Sequence, residues 1–474
     1  MSAASGRKAQ PAWRWTLKVA LSIVGATPSE DFPVTPGAFR IKNYVRNNDH
    51  IGFVSKLSED GSNLVYSTLL GGSFRTQPYA VAADRFGNAY VVGGTCSSDF
   101  PVTIQAPQGR AVGSRGSNAT CDGFITKLNT TGSKTEYSTY FGGSGSDGVS
   151  TIAVDVTGRA WFGGWTSSVD LPMTSGALQQ GNGGVTDGFV GTLDPSGKTL
   201  MATYLGGSGP DSVTSIKIHS DGSIYVAGNM ASNEFPRNPS HVVGTQGASD
   251  IFIAKLNPSL KTVPVFLRIG GAQNDSVSSM DIDAEGNVFI AGTTQSHDFP
   301  VTKGAWNPVF RGGTKDGFVL KIQPNAFETK SFPVVWATFV GGSGEDELFT
   351  VSAGLAGSVF AGGRSSSKDF PTTKNAFRPQ LQRANDGCLI QISSADGKPQ
   401  FVTFIADAKA TTSFNLTPIN EINDQVTEVV ATRTGDVFVT GWTKGIDYLI
   451  SRNAYQKISK GNTEPFLFRL RFSR

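Results

Sequence analysis

The stretch Asp31-Phe-Pro-Val-Thr-Pro-Gly-Ala-Phe39 returns, with small changes, at Asp99, Asp170, Glu234, Asp298, Asp369 and Asp447. The gaps between copies are 68, 71, 64, 64, 71 and 78 residues, so the chain is a tandem array rather than a set of unrelated domains. Around each copy lie four short apolar runs. In the third unit, Thr151-Ile-Ala-Val-Asp155 turns through a glycine into Ala160-Trp-Phe-Gly-Gly164, which reads as a hairpin of strands A and B. Asp187-Gly-Phe-Val-Gly-Thr-Leu193 and Leu200-Met-Ala-Thr-Tyr-Leu-Gly206 follow as strands C and D. Strand C recurs at Phe53, Phe124, Phe189, Phe252, Phe318, Cys388 and Phe466.

Side chains alternate along a strand, so Phe318, Leu320 and Ile322 share one face and Val319 the other. Both faces are apolar, which an isolated sheet cannot satisfy in water. Radial stacking covers each sheet with its neighbours and leaves short edges. The expected fold class is therefore all-β, a seven-bladed β-propeller of four-stranded antiparallel blades in one domain over residues 1–474. Units of this length are too long for the coils of a β-solenoid, the competing repeat architecture. Strand B ends in small residues, as in Gly93-Gly94 and Gly362-Gly363, which suits close backbone approach.

The phrases Ile-Ala-Val-Asp, Asp-Gly-Phe-Val-x-Lys-Leu and Tyr-Ser-Thr-Tyr-Leu-Gly-Gly, together with the Asp-Phe-Pro phrase, resemble the bacterial beta-propeller repeat called SBBP. The resemblance spans nearly the whole chain. It implies a secreted or cell-surface protein, or a module of a larger envelope protein, without a defined catalytic site.

Composition agrees with a loop-rich β protein: 38% hydrophobic residues, 57 glycines and 17% charged residues, with a net charge of +3. Basic residues form no stripe with interleaved aromatics, which excludes a nucleic-acid surface of the usual kind, and no apolar run approaches the roughly 20 residues of a membrane span. Val19 to Ala26, preceded by Arg7, Lys8 and Arg14, superficially has the make-up of a secretion signal. It also aligns with Phe289 to Pro300, so it reads more simply as strand B of blade 1, with strand A at Trp13 to Leu17. Residues 1–12 are left as a disordered or ring-closing segment. No strand D follows Phe466 to Leu470, so either blade 7 has three strands or the start codon lies downstream of the native one and a signal peptide is missing.

Candidate chemistry sits in the D-to-A turns. Asp147, Asp211, Asp275 and Asp346 end Gly-Gly-rich turns, and Asp424 is placed equivalently. Converging at one rim, these carboxylates would suit calcium; the alternative is that each accepts N–H donors within its own turn. Cys96 and Cys121 flank strands B and C of blade 2 and are expected to form a disulfide or to remain two independent thiols. Cys388 replaces a core phenylalanine and reads as an inert thiol. In the Asp-Phe-Pro phrase, Thr35, Thr103, Thr174, Thr302 and Thr373 offer an oxygen to begin a helical turn. The four histidines occupy unrelated repeat positions, and Gly143 to Gly148 matches a dinucleotide fingerprint only formally, since no helix follows.

The expected function is a non-catalytic propeller of the secreted space or cell surface, monomeric or a module of an envelope assembly, binding a protein or glycan without a cofactor. The insertions Gln105 to Thr120, Lys330 to Val335 and Ala406 to Asn423 are its expected contact loops. The alternative is a carbohydrate-active or other hydrolytic enzyme using carboxylates at the channel mouth.

Overall fold

The computed structural model describes residues 12–15, 21–45, 49–113, 120–235, 241–323, 333–406, 424–432, 434–443, 455 and 464–472. The fold is a seven-bladed β-propeller of mostly four-stranded antiparallel sheets. Blade 1 comprises Ala12–Trp15, Leu21–Thr27, Ile51–Leu57 and Leu64–Leu70, here named strands A to D. Blade 2 runs Thr76–Ala83, Ala89–Thr95, Asp122–Leu128 and Thr135–Phe141, and blade 3 Asp147–Val154, Ala160–Thr166, Asp187–Leu193 and Leu200–Leu205. Blade 4 comprises Asp211–Ile218, Ile224–Met230, Asp250–Leu256 and Val265–Gly270. Blade 5 runs Asp275–Ile282, Val288–Thr294, Asp316–Ile322 and Val334–Val340, and blade 6 Asp346–Ala353, Ser358–Ser365, Asp386–Ser393 and Pro399–Ile405. Blade 7 has three described strands, Gln425–Ala431, Asp436–Thr443 and Glu464–Arg471. All seven expected C strands are present. One strand was not expected: His241–Gly244 pairs in parallel with strand D of blade 4.

By its internal contacts the chain divides into two compact units. One is Met1–Asn238 with Ile253–Phe266 and Ser451–Gly461, and the other is Pro239–Phe252 with Leu267–Ile450 and Asn462–Arg474. In the first unit, Tyr90, Ile125 and Phe141 of blade 2 pack on Ile152, Phe162 and Phe189 of blade 3. In the second, Phe289, Val319 and Trp336 of blade 5 pack on Val351, Cys388 and Val402 of blade 6. At these junctions the facing sides of neighbouring blades cover each other, as the two-faced apolar pattern requires. A side chain such as Phe189, with no exposed surface, contributes about 2–3 kcal/mol by its burial.

The strand B glycines have a local cause. Strand A carries a bulge opposite them, at Gly163/Gly164 in blade 3 and Leu348/Thr350 in blade 6. A Cβ on Gly164 would lie 1.8 Å from the Gly148 carbonyl oxygen, and one on Gly363 1.8 Å from that of Glu347. Only a residue without a side chain lets the bulged backbone approach so closely.

Candidate functional site: carboxylates of the blade-junction turns

The aspartate that opens strand A, or in blade 7 immediately precedes it, donates its backbone N–H to the residue just before strand C of the preceding blade: Asp147 to Cys121 (2.7 Å), Asp211 to Thr186 (2.8 Å), Asp275 to Ser249 (2.8 Å), Asp346 to Lys315 (3.1 Å) and Asp424 to Asn385 (3.1 Å). These links set each strand A aspartate at a blade junction, where all five are buried. The side chains then organise the Gly-Gly turn. Asp147 Oδ2 accepts from Gly143 N–H (2.8 Å) and Ser168 Oγ (2.9 Å), and Thr166 donates to Oδ1. Asp211 accepts from Gly207 N–H (2.7 Å) and from Ser232, Asp275 from Gly271 N–H (2.6 Å) and Ser296 (3.0 Å), and Asp346 from Gly342 N–H (2.8 Å) and Ser367 (2.7 Å).

These N–H and O–H donors suit a carboxylate anion held within its own turn. Among the described residues, no group of three or more His, Cys, Asp or Glu is placed to hold a metal ion. Asp147, Asp211, Asp275 and Asp346 each accept donors from their own turns. Burial is the largest influence on Asp147, Asp211, Asp275 and Asp346, and it raises each carboxyl above the ordinary aspartate range, Asp275 to about 6.

The Asp-Phe-Pro phrase closes the same turn from the other side. Asp170 Oδ1 accepts from Ser144 N–H (2.8 Å), Asp298 from Ala272 N–H (2.8 Å) and Asp369 from Ser343 N–H (2.7 Å). Phe32, Phe100 and Phe299 stack on the strand C residues Phe53, Phe124 and Phe318 at centroid distances of 4.4, 4.6 and 4.5 Å. The threonines begin no helix. Instead Thr35, Thr103, Thr174, Thr302 and Thr373 accept through Oγ1 from strand D amides at Ser67, Ser138, Ala202, Ala337 and Val402. Each threonine thus satisfies the outer edge of its blade, a use that sequence spacing cannot distinguish from a helix cap.

Sequence reasoning passed over the leading residue of strand C. Asp122, Asp187, Asp250, Asp316 and Asp386 are all buried, each beside the strand A aspartate of the next blade. Their recurrence at the mouth of an otherwise apolar strand, before Gly-Phe at Asp122, Asp187 and Asp316, was the available signal.

Cys96 and Cys121 are joined by a disulfide, with Cα atoms 4.2 Å apart and a sequence separation of 25. Pairing of Thr95 with Asp122 brings them together. Cys388 is fully buried, and desolvation pushes its thiol well above the usual range, which leaves it unreactive. Of the histidines, His219 pairs with Asp221 at 3.1 Å and His297 lies on the Phe310 ring at 4.3 Å. They share no site. No described helix is long and apolar enough to cross a membrane.

The family model described as SBBP, beta-propeller repeat, matches residues 65–101 and 266–300. The chain carries SBBP beta-propeller repeats. Each matched SBBP segment runs from strand D through the Gly-Gly turn and the A–B hairpin to the Asp-Phe-Pro phrase, which is the hydrogen-bonded unit described above. No curated protein matches the chain. Similar solved structures include a protein of unknown function from Dyadobacter fermentans DSM 18053, at 10% identity and TM-score 0.39 over 76% of this chain and 91% of that one. The Dos1 propeller matches at 10% identity and TM-score 0.40, covering 93% and 90%. A polysaccharide lyase of the ulvan lyase family, PL25, matches at 10% and 0.40, covering 92% and 91%.

Proposed function

We propose that this SBBP propeller is a non-catalytic scaffold of the extracellular space or cell envelope that presents a loop of blade 2 to a protein or glycan. The observation that carries this reading is the Cys96–Cys121 disulfide at the base of the B–C connection of blade 2. Structural disulfides persist in oxidising compartments, and a stapled loop on a rigid sheet is a common recognition device. Residues 114–119 of the expected Gln105 to Thr120 loop lie outside the described residues, and the described part is anchored to its blade. Gln108 N–H donates to Thr139 Oγ1 at 3.1 Å and Val112 N–H to Asp122 at 2.8 Å, while Ile104 is fully exposed. Of the other expected contact loops, residues 324–332 and 407–423 lie outside the described residues. The carboxylates first considered for hydrolysis are buried in turns, which supports a scaffold over a hydrolase.

The test is a glycan-array screen together with a pull-down of envelope proteins, using the whole chain and its Ile104→Asp variant. Selective capture that the variant loses, at an unchanged melting temperature, is the expected result. Equal capture by both forms, or turnover of any glycan, overturns the reading.

A further inference from the structure

At four blade junctions a second buried carboxyl faces the turn aspartate, and each keeps one oxygen without a donor. Asp122, Asp187, Asp316 and Asp386 are at most 1% exposed, and the Oδ1 of each has no hydrogen-bond partner. Their Oδ2 atoms are anchored by backbone N–H groups of Val112, Gly183, Arg311 and Gln382. At the junction of blades 5 and 6 the free oxygen and the neighbouring carboxylate meet around one glycine. A Cβ on Gly341 would lie 2.4 Å from Asp316 Oδ1 and 2.8 Å from Asp346 Oδ2, so the two acids close over one glycine. Two buried like charges at that range cannot both persist without a counter-charge.

The remaining junctions show what fills the slot. Between blades 1 and 2 the same positions hold Ile51 and Thr76, which carry no charge. Between blades 4 and 5 the pair is Asp250 and Asp275, and there strand D supplies the buried Arg268, which donates Nε–H to Asp250 Oδ2 at 2.6 Å. The corresponding strand D positions in blades 2, 3, 5 and 6 are Tyr140, Tyr204, Phe339 and Phe404, none of them cationic. Arg268 brings a pair of charge −2 to −1, which is the charge one proton leaves.

We propose that Asp122, Asp187, Asp316 and Asp386 are proton-binding sites, each holding one proton on Oδ1 against the adjacent strand A aspartate and making the fold stronger in mild acid. The free oxygen becomes an O–H donor, the neighbouring carboxylate its acceptor, and the junction loses its repulsion. The groups facing each site agree with this. Asp122 faces Asp147, Asp170 and Tyr140; Asp187 faces Asp211, Gln179 and Tyr204; Asp316 faces Asp346, Asp369 and Arg311; Asp386 faces Asp424 and Arg383. Burial first, and the neighbouring aspartate next among the raising influences, lift Asp122 and Asp316 to about 7 and Asp187 and Asp386 to about 6. A carboxyl whose folded value lies above its unfolded value of 3.8 favours the folded state fully below that unfolded value. The contribution is lost as pH rises through the folded values of about 6 to 7. A bound calcium ion would instead need several oxygen ligands, and both oxygens of Asp147 already accept from the turn.

The experiment is thermal unfolding of the whole chain between pH 5 and pH 8, with EDTA and with calcium, for the wild type and for the fourfold variant Asp122→Asn, Asp187→Asn, Asp316→Asn, Asp386→Asn. Asparagine mimics the protonated acid in shape and in donor. The wild type is expected to melt about 5 °C higher at pH 5 than at pH 8, with no effect of calcium, and the variant to lose most of that difference, keeping only the part that the unmutated Asp275 contributes. A wild-type melting temperature that rises with pH, a slope undiminished in the variant, or recovery at pH 8 on adding calcium overturns the proposal. If the variant does not fold, infrared difference spectra of the wild type decide it. Loss of a protonated-carboxyl C=O band between pH 5 and pH 8 is expected, and its absence at pH 5 refutes the assignment.

Discussion

Replacing Asp147 with alanine separates a carboxylate that builds a turn from one that binds an ion or performs chemistry. The substitution removes the acceptor of three donors: Gly143 N–H, Ser168 Oγ–H and Thr166 Oγ1–H. The two hydroxyls can rotate to other acceptors. The amide is fixed by the backbone of the Gly-Gly turn and is left unpaired in a buried position, at a cost of about 1–3 kcal/mol. Adding about 1 kcal/mol for each weakened hydroxyl bond, and subtracting the relief of no longer burying a carboxylate, leaves about 3 kcal/mol of destabilisation. For 474 residues, an unfolding entropy of about 2 cal/mol/K per residue makes this a fall of about 3 °C in melting temperature. Calorimetry with EDTA and again with calcium is the assay, because a turn acceptor is indifferent to both. An Asp147→Ala protein that melts with the wild type, or a wild type that loses several degrees in EDTA, would refute the reasoning.

Gly197 and Gly222 both have positive φ, +72° and +86°, but a Cβ on Gly197 would lie 2.3 Å from the Tyr137 ring while one on Gly222 meets nothing within 4 Å. Gly197→Ala should therefore cost at least about 2 kcal/mol more than Gly222→Ala in urea unfolding, since both share the backbone penalty; equal losses would show that the ring moves aside freely. Reduction of Cys96–Cys121 opens a loop of separation 25 and should remove about 3 kcal/mol in the chain-entropy model, read as a lower melting temperature in dithiothreitol. Cys388 is wholly buried, so under non-reducing conditions a thiol reagent should label it at the rate of unfolding, and prompt labelling of the folded protein would contradict that burial.

The blades were legible because each strand carries its own signal. Alternating apolar residues at Phe318 to Ile322, glycine turns and the repeated Asp-Phe-Pro phrase locate strand C in every repeat, Cys388 included. What crosses between blades was not legible. The facing of Asp122 with Asp147 depends on the backbone link from Asp147 N–H to Cys121, a contact between consecutive repeats that no periodicity within one repeat encodes. The threonines were misassigned for a different reason: their partners at Ser138 and Val402 lie in strand D of the same blade but 35 and 29 residues away, beyond the reach of a local capping pattern. Small residues at Gly164 and Gly363 were correctly linked to close approach, but the approaching group is the bulged strand A of the same blade.

The central claim is that the repeated carboxylates of this SBBP propeller organise its turns and hold protons, leaving recognition to its loops. A crystal structure grown in calcium at neutral pH tests it most directly. The account predicts that Asp147 Oδ2 receives the Gly143 amide and that no ion lies between Asp122 and Asp147 or between Asp316 and Asp346. Density there with oxygen ligands at about 2.4 Å, the distance of bound calcium, would contradict it.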